Sequence, residues 1–174
     1  QKHLARFVVD VVSKLDLHEL KMAYSGGGSE AFNPEMLLSL LVYGYATGVF
    51  SSRKLEQATY DSIAFRYIAA NTHPDHDTIA TFRKRFLEQL KPLFLQILLL
   101  AKVLGFLQLG KISLDGSKIQ ANASKHSALS WGHAVELEQQ LKEEVAQLMA
   151  MAAAADSEPL PEGMDIPAEL GERD

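Results

Sequence analysis

The spacing of apolar residues in the N-terminal part of the chain predicts short amphipathic helices. Within residues 4–20, Phe7, Val8, Val11, Val12 and Leu15 recur every three or four positions, which is the period of a helix with one buried face. A second short helix is expected to begin near residue 16. The Ser/Gly-rich segment 25–29 then predicts a flexible break between helical pieces.

Residues 36–46 form the most continuously apolar part of this helical region and predict its central helix. Asn33 suits the N-cap, Pro34 suits the first helical position, and Glu35 places a negative charge in the first turn. Gly48 is a natural stop. Because residues 36–46 are apolar on most sides, we expect this helix in the middle of the core.

Further helices are predicted after the central one. Ser51 or Ser52 can cap a helix, and residues 61–62 mark a boundary between two short helices. The segment 71–77 is rich in turn residues and precedes a helix capped by Asp75 or Asp77. That helix is expected to bury a stripe at Ile79, Phe82, Phe86 and Leu90.

The next helix is expected to open at Pro92, to run through about Leu104 and to end at Gly105. A long amphipathic helix is predicted at about residues 129–155. Its apolar stripe, which can pair within the chain or across a homodimer, consists of Ala134, Leu137, Leu141, Val145 and Leu148. The final segment, 156–174, is acidic and contains three prolines, so we expect it to be loosely ordered.

Residues 111–124, KISLDGSKIQANAS, follow a different pattern, because apolar and polar positions alternate. Gly116 and Ser117 separate the two runs, and a glycine at the first of two loop positions suits a tight hairpin turn. Asp115 ends the first predicted strand. An aspartate at this position is ordinarily a turn former. The expected fold is therefore mainly α: a helical bundle, a β-hairpin and a long amphipathic helix.

Composition narrows the classes of protein that the chain can represent. The absence of cysteine excludes a disulfide framework and a thiolate zinc site. No apolar run reaches the length of a membrane span, and no signal peptide is visible, so we expect a cytoplasmic protein without a membrane partner. The net charge of −5 hides a gradient: residues 51–91 carry +2, from seven basic and five acidic residues, whereas 92–174 carry −6, from six basic and twelve acidic residues.

The basic middle region has the order of elements found in helix-turn-helix proteins. Residues 61–70 would form the supporting helix and residues 78–86 the reading helix that enters a DNA groove. The candidate DNA-binding residues are Ser51, Ser52, Arg53, Lys54, Thr78, Thr81, Arg83, Lys84 and Arg85. Arg83, Lys84 and Arg85 cannot all face DNA, because adjacent helical positions lie about 100° apart. The alternative is that these residues form ordinary solvated helix faces.

The segment 71–77 also contains His73, Asp75, His76 and Asp77, which are residue types that bind metals. A zinc site needs about four ligands in tetrahedral geometry, and capping roles explain these acids without a metal. We therefore interpret the segment as a capped turn. Tyr43 and Tyr45 are interpreted as core residues rather than base-stacking platforms.

Three segments in the same order resemble a known family: FNPEMLLSLLVYGYATGVFSSRKLEQATYDSIAFRYIA, PDHDTIATFRKRF and SLDGSKIQANASKHSALS. They are similar to the N-terminal half of bacterial insertion-sequence transposases of the InsH-like family, and the likeness runs over about residues 4–148. The resemblance implies a helical DNA-binding domain at 1–108, which binds double-stranded DNA at the element ends. Residues 109–174 would begin an RNase H-like catalytic domain.

The same resemblance gives Asp115 a chemical role. In the family, this aspartate is the first carboxylate of an Asp-Asp-Glu triad that holds two Mg²⁺ ions for phosphodiester strand transfer. Ser117 stands where the family often has threonine. No later acid lies on a strand or helix that plainly faces Asp115, so we expect this chain alone to be inactive. Two alternatives remain open: a truncated transposase that acts as a DNA-binding regulator, and a helical protein-interaction module.

Overall fold

A computed structural model describes residues 3–24, 32–105 and 131–158, and these ranges are mainly helical. The helices within them are α1 (Leu4–Val12), α2 (His18–Tyr24), α3 (Pro34–Ala46), α4 (Ser52–Asp61), α5 (Ile63–Ile68), α6 (His76–Arg85), α7 (Leu87–Val103) and α8 (Trp131–Ser157). The described residues contain no strand. The predicted hairpin at 111–124, the predicted domain boundary after residue 108 and the segment 25–29 lie outside them.

The central helix is α3, as its composition predicts. Every residue from position 37 to position 45 is buried. Asn33 caps the helix by accepting a hydrogen bond from the Glu35 N–H at 2.8 Å, and Pro34 occupies the first helical position. Helices α1, α2, α4 and α5 all pack against α3, so the core is built around it.

The end of α3 fixes the direction in which α4 leaves. Gly48 has φ +82°, a left-handed conformation that glycine adopts without strain. The Val49 N–H then donates to the Gly44 carbonyl at 2.7 Å, which closes the turn. At Gly44 itself, an added Cβ would overlap the Cδ2 atom of Leu55 in α4 and lie 3.0 Å from the Val49 carbonyl oxygen. The absence of a side chain at Gly44 therefore allows α3 and α4 to approach closely.

The prediction that Pro92 opens a helix is wrong. Helix α7 begins at Leu87, directly after Phe86. Phe86 has φ −107° and ψ 21°, which are not helical angles, so this residue ends α6 and separates α6 from α7. Pro92 lies inside α7 and costs it one backbone hydrogen bond. Residues on both sides of the proline are buried, among them Leu90, Leu93 and Phe94. Burial of this continuous stripe offsets the missing hydrogen bond.

Helix α8 packs along α7 and α4 through the buried residues Leu141, Val145, Met149 and Ala152. Its stripe therefore agrees in part with the predicted one, and Leu148 is half-buried beside it. The helix runs through residue 157, which is two residues into the segment that we expected to be loosely ordered. Its last turn brings Asp156 to the beginning of α4.

Candidate functional site

The beginning of α4 is electropositive and lacks a local cap. Ser51 occupies the N-cap position, but its side chain makes no capping hydrogen bond, and the first turn contains no acidic residue. Arg53 and Lys54 follow immediately. Because the free N–H groups and the helix dipole already place partial positive charge at a helix start, this end of α4 attracts an anion.

The carboxylate of Asp156 supplies that negative charge from the far end of α8. Its Oδ1 accepts a hydrogen bond from the Ser52 backbone N–H at 2.6 Å. Its Oδ2 accepts a second one from the Ser52 hydroxyl at 2.8 Å. A residue 104 positions away in the sequence thus caps α4.

Arg83 completes the cluster from the last turn of α6. Its Nη2 lies 2.7 Å from Oδ2 of Asp156, and the arginine side chain is only 2% exposed. Its Nη1 and Nη2 are both buried, and neither makes a hydrogen bond of good geometry with a described residue. Removal of one partner from such a buried ion pair is strongly destabilising, because the remaining charge stays out of water. We call Ser52, Arg83 and Asp156 the Asp156 cluster.

Tyr45 of α3 borders the Asp156 cluster. Burial raises the pKa of Tyr45 to about 12, while the positive charge of Arg83 opposes the rise and the negative charge of Asp156 adds to it. The hydroxyl is buried without a hydrogen bond of good geometry in the described part of the chain. The phenol therefore stays neutral at ordinary pH and adds no charge to the arginine–aspartate pair.

The outer face of α6 is polar and accessible. Thr81, Lys84 and Arg85 are exposed, and Thr78 is half-buried. Positions three and four residues apart lie on the same side of a helix, so Thr78, Thr81 and Arg85 share one face. Asp75 caps the helix by accepting from the Thr78 N–H at 2.7 Å and from its hydroxyl at 3.0 Å.

Helix α6 packs mainly against α4 and α7. The predicted supporting helix, residues 61–70, corresponds to α5, which packs mainly on α1, α3 and α4. The principal partner of the predicted reading helix is therefore α4. This arrangement places the electropositive start of α4 beside the last turn of α6, since Ser52 and Arg83 contact the same carboxylate.

The predicted DNA-binding residues fall into three groups. Lys54, Thr81, Lys84 and Arg85 are exposed; Ser51, Arg53 and Thr78 are half-buried; and Ser52 and Arg83 are buried at 2% exposure each. As placed, the last two contact Asp156 and offer no surface to a ligand. Of the three consecutive basic residues, only Arg83 is buried. This agrees with the expectation that Arg83, Lys84 and Arg85 cannot all face DNA, because adjacent helical positions lie about 100° apart. Asp115 lies outside the described residues.

The histidine segment is explained by structural contacts. The His76 ring lies 2.7 Å from Oε2 of Glu56, which also accepts the His76 backbone N–H at 3.0 Å. The His73 ring stacks on Tyr60 with centroids 3.9 Å apart, and its Nδ1 lies 3.0 Å from the Thr59 hydroxyl. The described ranges contain no group of three or more acidic or histidine side chains that could hold a metal.

Comparison with protein families gives a match for the first half of this bundle. Residues 1–85 match the family described as Transposase domain (DUF772). The match supports a transposase family and ends at the last residue of α6. The matched residues thus include Ser52 and Arg83, whereas Asp156 lies beyond them. Neither the curated proteins nor the solved structures gave a match to the chain.

Within the described ranges, no helix combines the length and apolar character needed to cross a bilayer. Asp156 is the residue of the site that sequence reasoning missed. The available signal was indirect: α4 has two basic residues in its first turn and no acid there, so the helix needs an anion from elsewhere.

Proposed function

We propose that this chain is the N-terminal part of an insertion-sequence transposase and that it binds double-stranded DNA at the element ends. The match of residues 1–85 to a transposase domain supports the protein class. The observation that supports DNA binding is the accessible polar face of α6. Two hydroxyl side chains, Thr78 and Thr81, and two basic side chains, Lys84 and Arg85, lie on it. We infer a DNA contact surface formed by this face together with the start of α4.

The residue types on α6 suit a nucleic-acid ligand. Hydroxyl and basic side chains make most of the phosphate contacts in protein–DNA complexes, and such contacts fix the position of the protein on the duplex. Thr81 would donate to phosphate or base atoms, as would Thr78 once its hydroxyl turns away from Asp75, while Lys84 and Arg85 would neutralise phosphate charge. A helix with this composition fits the major groove.

The beginning of α4 extends the same surface. Ser52 and Arg83 contact the same carboxylate. Arg53 and Lys54 directly follow Ser52 in the sequence, and Lys84 and Arg85 directly follow Arg83. Four basic residues are therefore carried by two helix ends that adjoin. The +2 charge of residues 51–91 contrasts with the negative charge of the rest of the chain and would direct DNA to this region.

The test is a fluorescence anisotropy titration of labelled duplex DNA at several salt concentrations. The double variant Lys84→Ala/Arg85→Ala should bind more weakly and should reduce the slope of log K against log salt by about 2, because each lost phosphate contact removes roughly 0.9. The matched control is Arg6→Ala/Lys14→Ala, which removes the same charges from exposed positions on and just after α1. Equal slopes for the two double variants would remove Lys84 and Arg85 from the DNA surface.

We also propose that Asp115 is a Mg²⁺ ligand in the complete enzyme, as the resemblance to InsH-like transposases implies. Carboxylate oxygens suit this hard cation, and two such ions would stabilise the attacking and leaving oxygens of a phosphodiester displacement. Asp115→Asn in the complete transposase should abolish Mg²⁺-dependent cleavage and leave duplex affinity unchanged. Retained cleavage would exclude Asp115 from the metal site.

The structure gives less support to a helical interaction module. That alternative needs the apolar stripe of α8 to be available for a partner helix, but Leu141, Val145 and Met149 are already buried against helices of the same chain. A homodimer through this stripe would require α8 to leave α7 first. DNA binding does not require this rearrangement.

A further inference from the structure

The contacts of Asp156 are those that proteins use to hold a bound anion. Its carboxylate receives a helix N-terminal amide, a serine hydroxyl and a guanidinium group, with distances of 2.6, 2.8 and 2.7 Å. The same three donor types recur in sites that bind phosphate groups. Two oxygens of a phosphate group can occupy the positions of Oδ1 and Oδ2.

The site has a donor that the carboxylate does not satisfy. Nη1 and Nη2 of Arg83 are both buried, and neither makes a hydrogen bond of good geometry with a described residue, so Asp156 meets Nη2 only as an ion pair. Buried donors of this kind are rare, because each loses its bonds to water without replacement. A phosphate has more acceptor oxygens than a carboxylate and can use a further guanidinium N–H. The arginine is therefore better matched to a phosphate than to the aspartate now beside it.

Asp156 is also poorly placed for the stability of its own helix. It lies in the last turn of α8, where the helix dipole disfavours a negative charge, and no basic residue compensates there. The turn before it consists of alanines, of which Ala153 and Ala154 are exposed. Only small apolar side chains, the buried Ala152 and the half-buried Ala155, can lose contact when this turn moves away from α4, whereas Leu141 and Val145 keep the rest of α8 in place.

We propose that Ser52 and Arg83 form a phosphate-binding site that Asp156 occupies when DNA is absent, and that a backbone phosphate of DNA displaces the aspartate. The phosphate chemistry follows from the site itself; DNA as its source rests on the proposed function. Asp156 then acts as an intramolecular competitor, and the apparent DNA affinity is the intrinsic affinity multiplied by the fraction of molecules in which the site is free. The competing residue lies outside the matched transposase domain, whereas both binding residues lie inside it.

The first experiment tests the site without DNA. Melting temperatures of the full chain are measured against inorganic phosphate at constant ionic strength set with chloride. Asp156→Ala should melt below the parent in chloride and should gain stability with phosphate along a saturating curve, since a ligand that binds only the folded state stabilises it. Asp156→Asn, which keeps the side-chain shape, should respond in the same direction.

Two variants serve as controls. Glu158→Ala removes the same charge two residues further along, at an exposed position, and should respond to phosphate as the parent does. Arg83→Met/Asp156→Ala removes both charges of the cluster and should lose the response. Equal phosphate responses for the parent, Asp156→Ala, Asp156→Asn and Glu158→Ala would overturn the proposal.

The second experiment measures duplex binding by the same proteins. Asp156→Ala should bind about tenfold more tightly than the parent, as expected for one added charge-assisted contact, and its salt slope should be steeper by roughly 0.9. If the parent binds DNA and Asp156→Ala binds no more tightly, DNA is not the ligand of this site, although the proposed function stands. If no variant binds DNA while phosphate still stabilises Asp156→Ala selectively, the proposed function fails and the anion site remains, with free phosphate as its ligand.

Discussion

Because α3 and α4 approach closely at Gly44, we expect Gly44→Ala to destabilise the protein, although alanine is the better helix former. In an open helix interior, replacement of glycine by alanine stabilises by about 1 kcal/mol. Here the new methyl group would overlap Leu55 Cδ2 and touch the Val49 carbonyl oxygen at 3.0 Å. Leu55 is fully buried and has no solvent to move into, so we expect an overpacking cost of about 2 kcal/mol. The net effect of Gly44→Ala should be a loss of about 1 kcal/mol.

A double-mutant cycle with Leu55 isolates the cause. Leu55→Ala alone should cost about 2–5 kcal/mol, because it leaves a cavity in the core. In that background the overlapping methyl is gone, so Gly44→Ala should become neutral or stabilising by up to about 1 kcal/mol. The expected coupling between the two positions is therefore about 1–2 kcal/mol.

The assay is urea unfolding followed by far-UV circular dichroism for the four proteins of the cycle. Gly48→Ala is the control, because φ at Gly48 is +82° and no atom lies within 4 Å of an added Cβ. Its cost is backbone strain of about 1–2 kcal/mol, which should be the same with Leu55 or Ala at position 55. A loss from Gly44→Ala that is equal in both backgrounds would refute overlap with Leu55 as the reason for glycine at this position.

Two further predictions concern the helix that carries the proposed DNA face and the phenol beside the Asp156 cluster. Asp75→Ala should lower the free energy of unfolding by about 1 kcal/mol, since Asp75 caps α6 through the Thr78 N–H, and a urea titration against the exposed Asp77→Ala checks this. Because the pKa of Tyr45 is raised to about 12, its contribution to stability is complete below its ordinary pKa of about 10 and is lost as pH rises through 12. The parent should therefore lose about 1 kcal/mol by about pH 11 relative to Tyr45→Phe; parallel pH profiles of the two proteins would contradict this.

Features encoded in neighbouring residues were predictable from the sequence. The start of α3 follows from Asn33 and Pro34, and its burial follows from an apolar run that leaves no polar face. Asp75 was one of two candidate caps for α6, and only the structure decides between it and Asp77, because both lie within reach of the first turn. Local signals therefore define the beginnings of α3 and α6 to within a residue or two.

Features that depend on distant residues were not predictable. Arg83, Lys84 and Arg85 are chemically alike in sequence, and Arg83 is distinguished only by its contact with Asp156. Asp156 itself lies in an acidic, proline-containing stretch whose composition suggests a loosely ordered tail. Proline favours the first helical position, so local sequence predicts a helix start at Pro92. The structure instead continues α7 through Pro92, because residues on both sides of it are buried.

The contact between Ser52 and Asp156 has a consequence for how the protein acquires its structure. It closes a loop of 104 residues, and the entropy cost of such a closure is met only when α8 is in place. During synthesis, the first 85 residues leave the ribosome well before Asp156. Arg83 therefore has no carboxylate partner until most of the chain has been made. The segment that matches the transposase-domain model is thus not the unit that completes its own folding, and any experiment that isolates residues 1–85 would study α4 and α6 without the Asp156 contact.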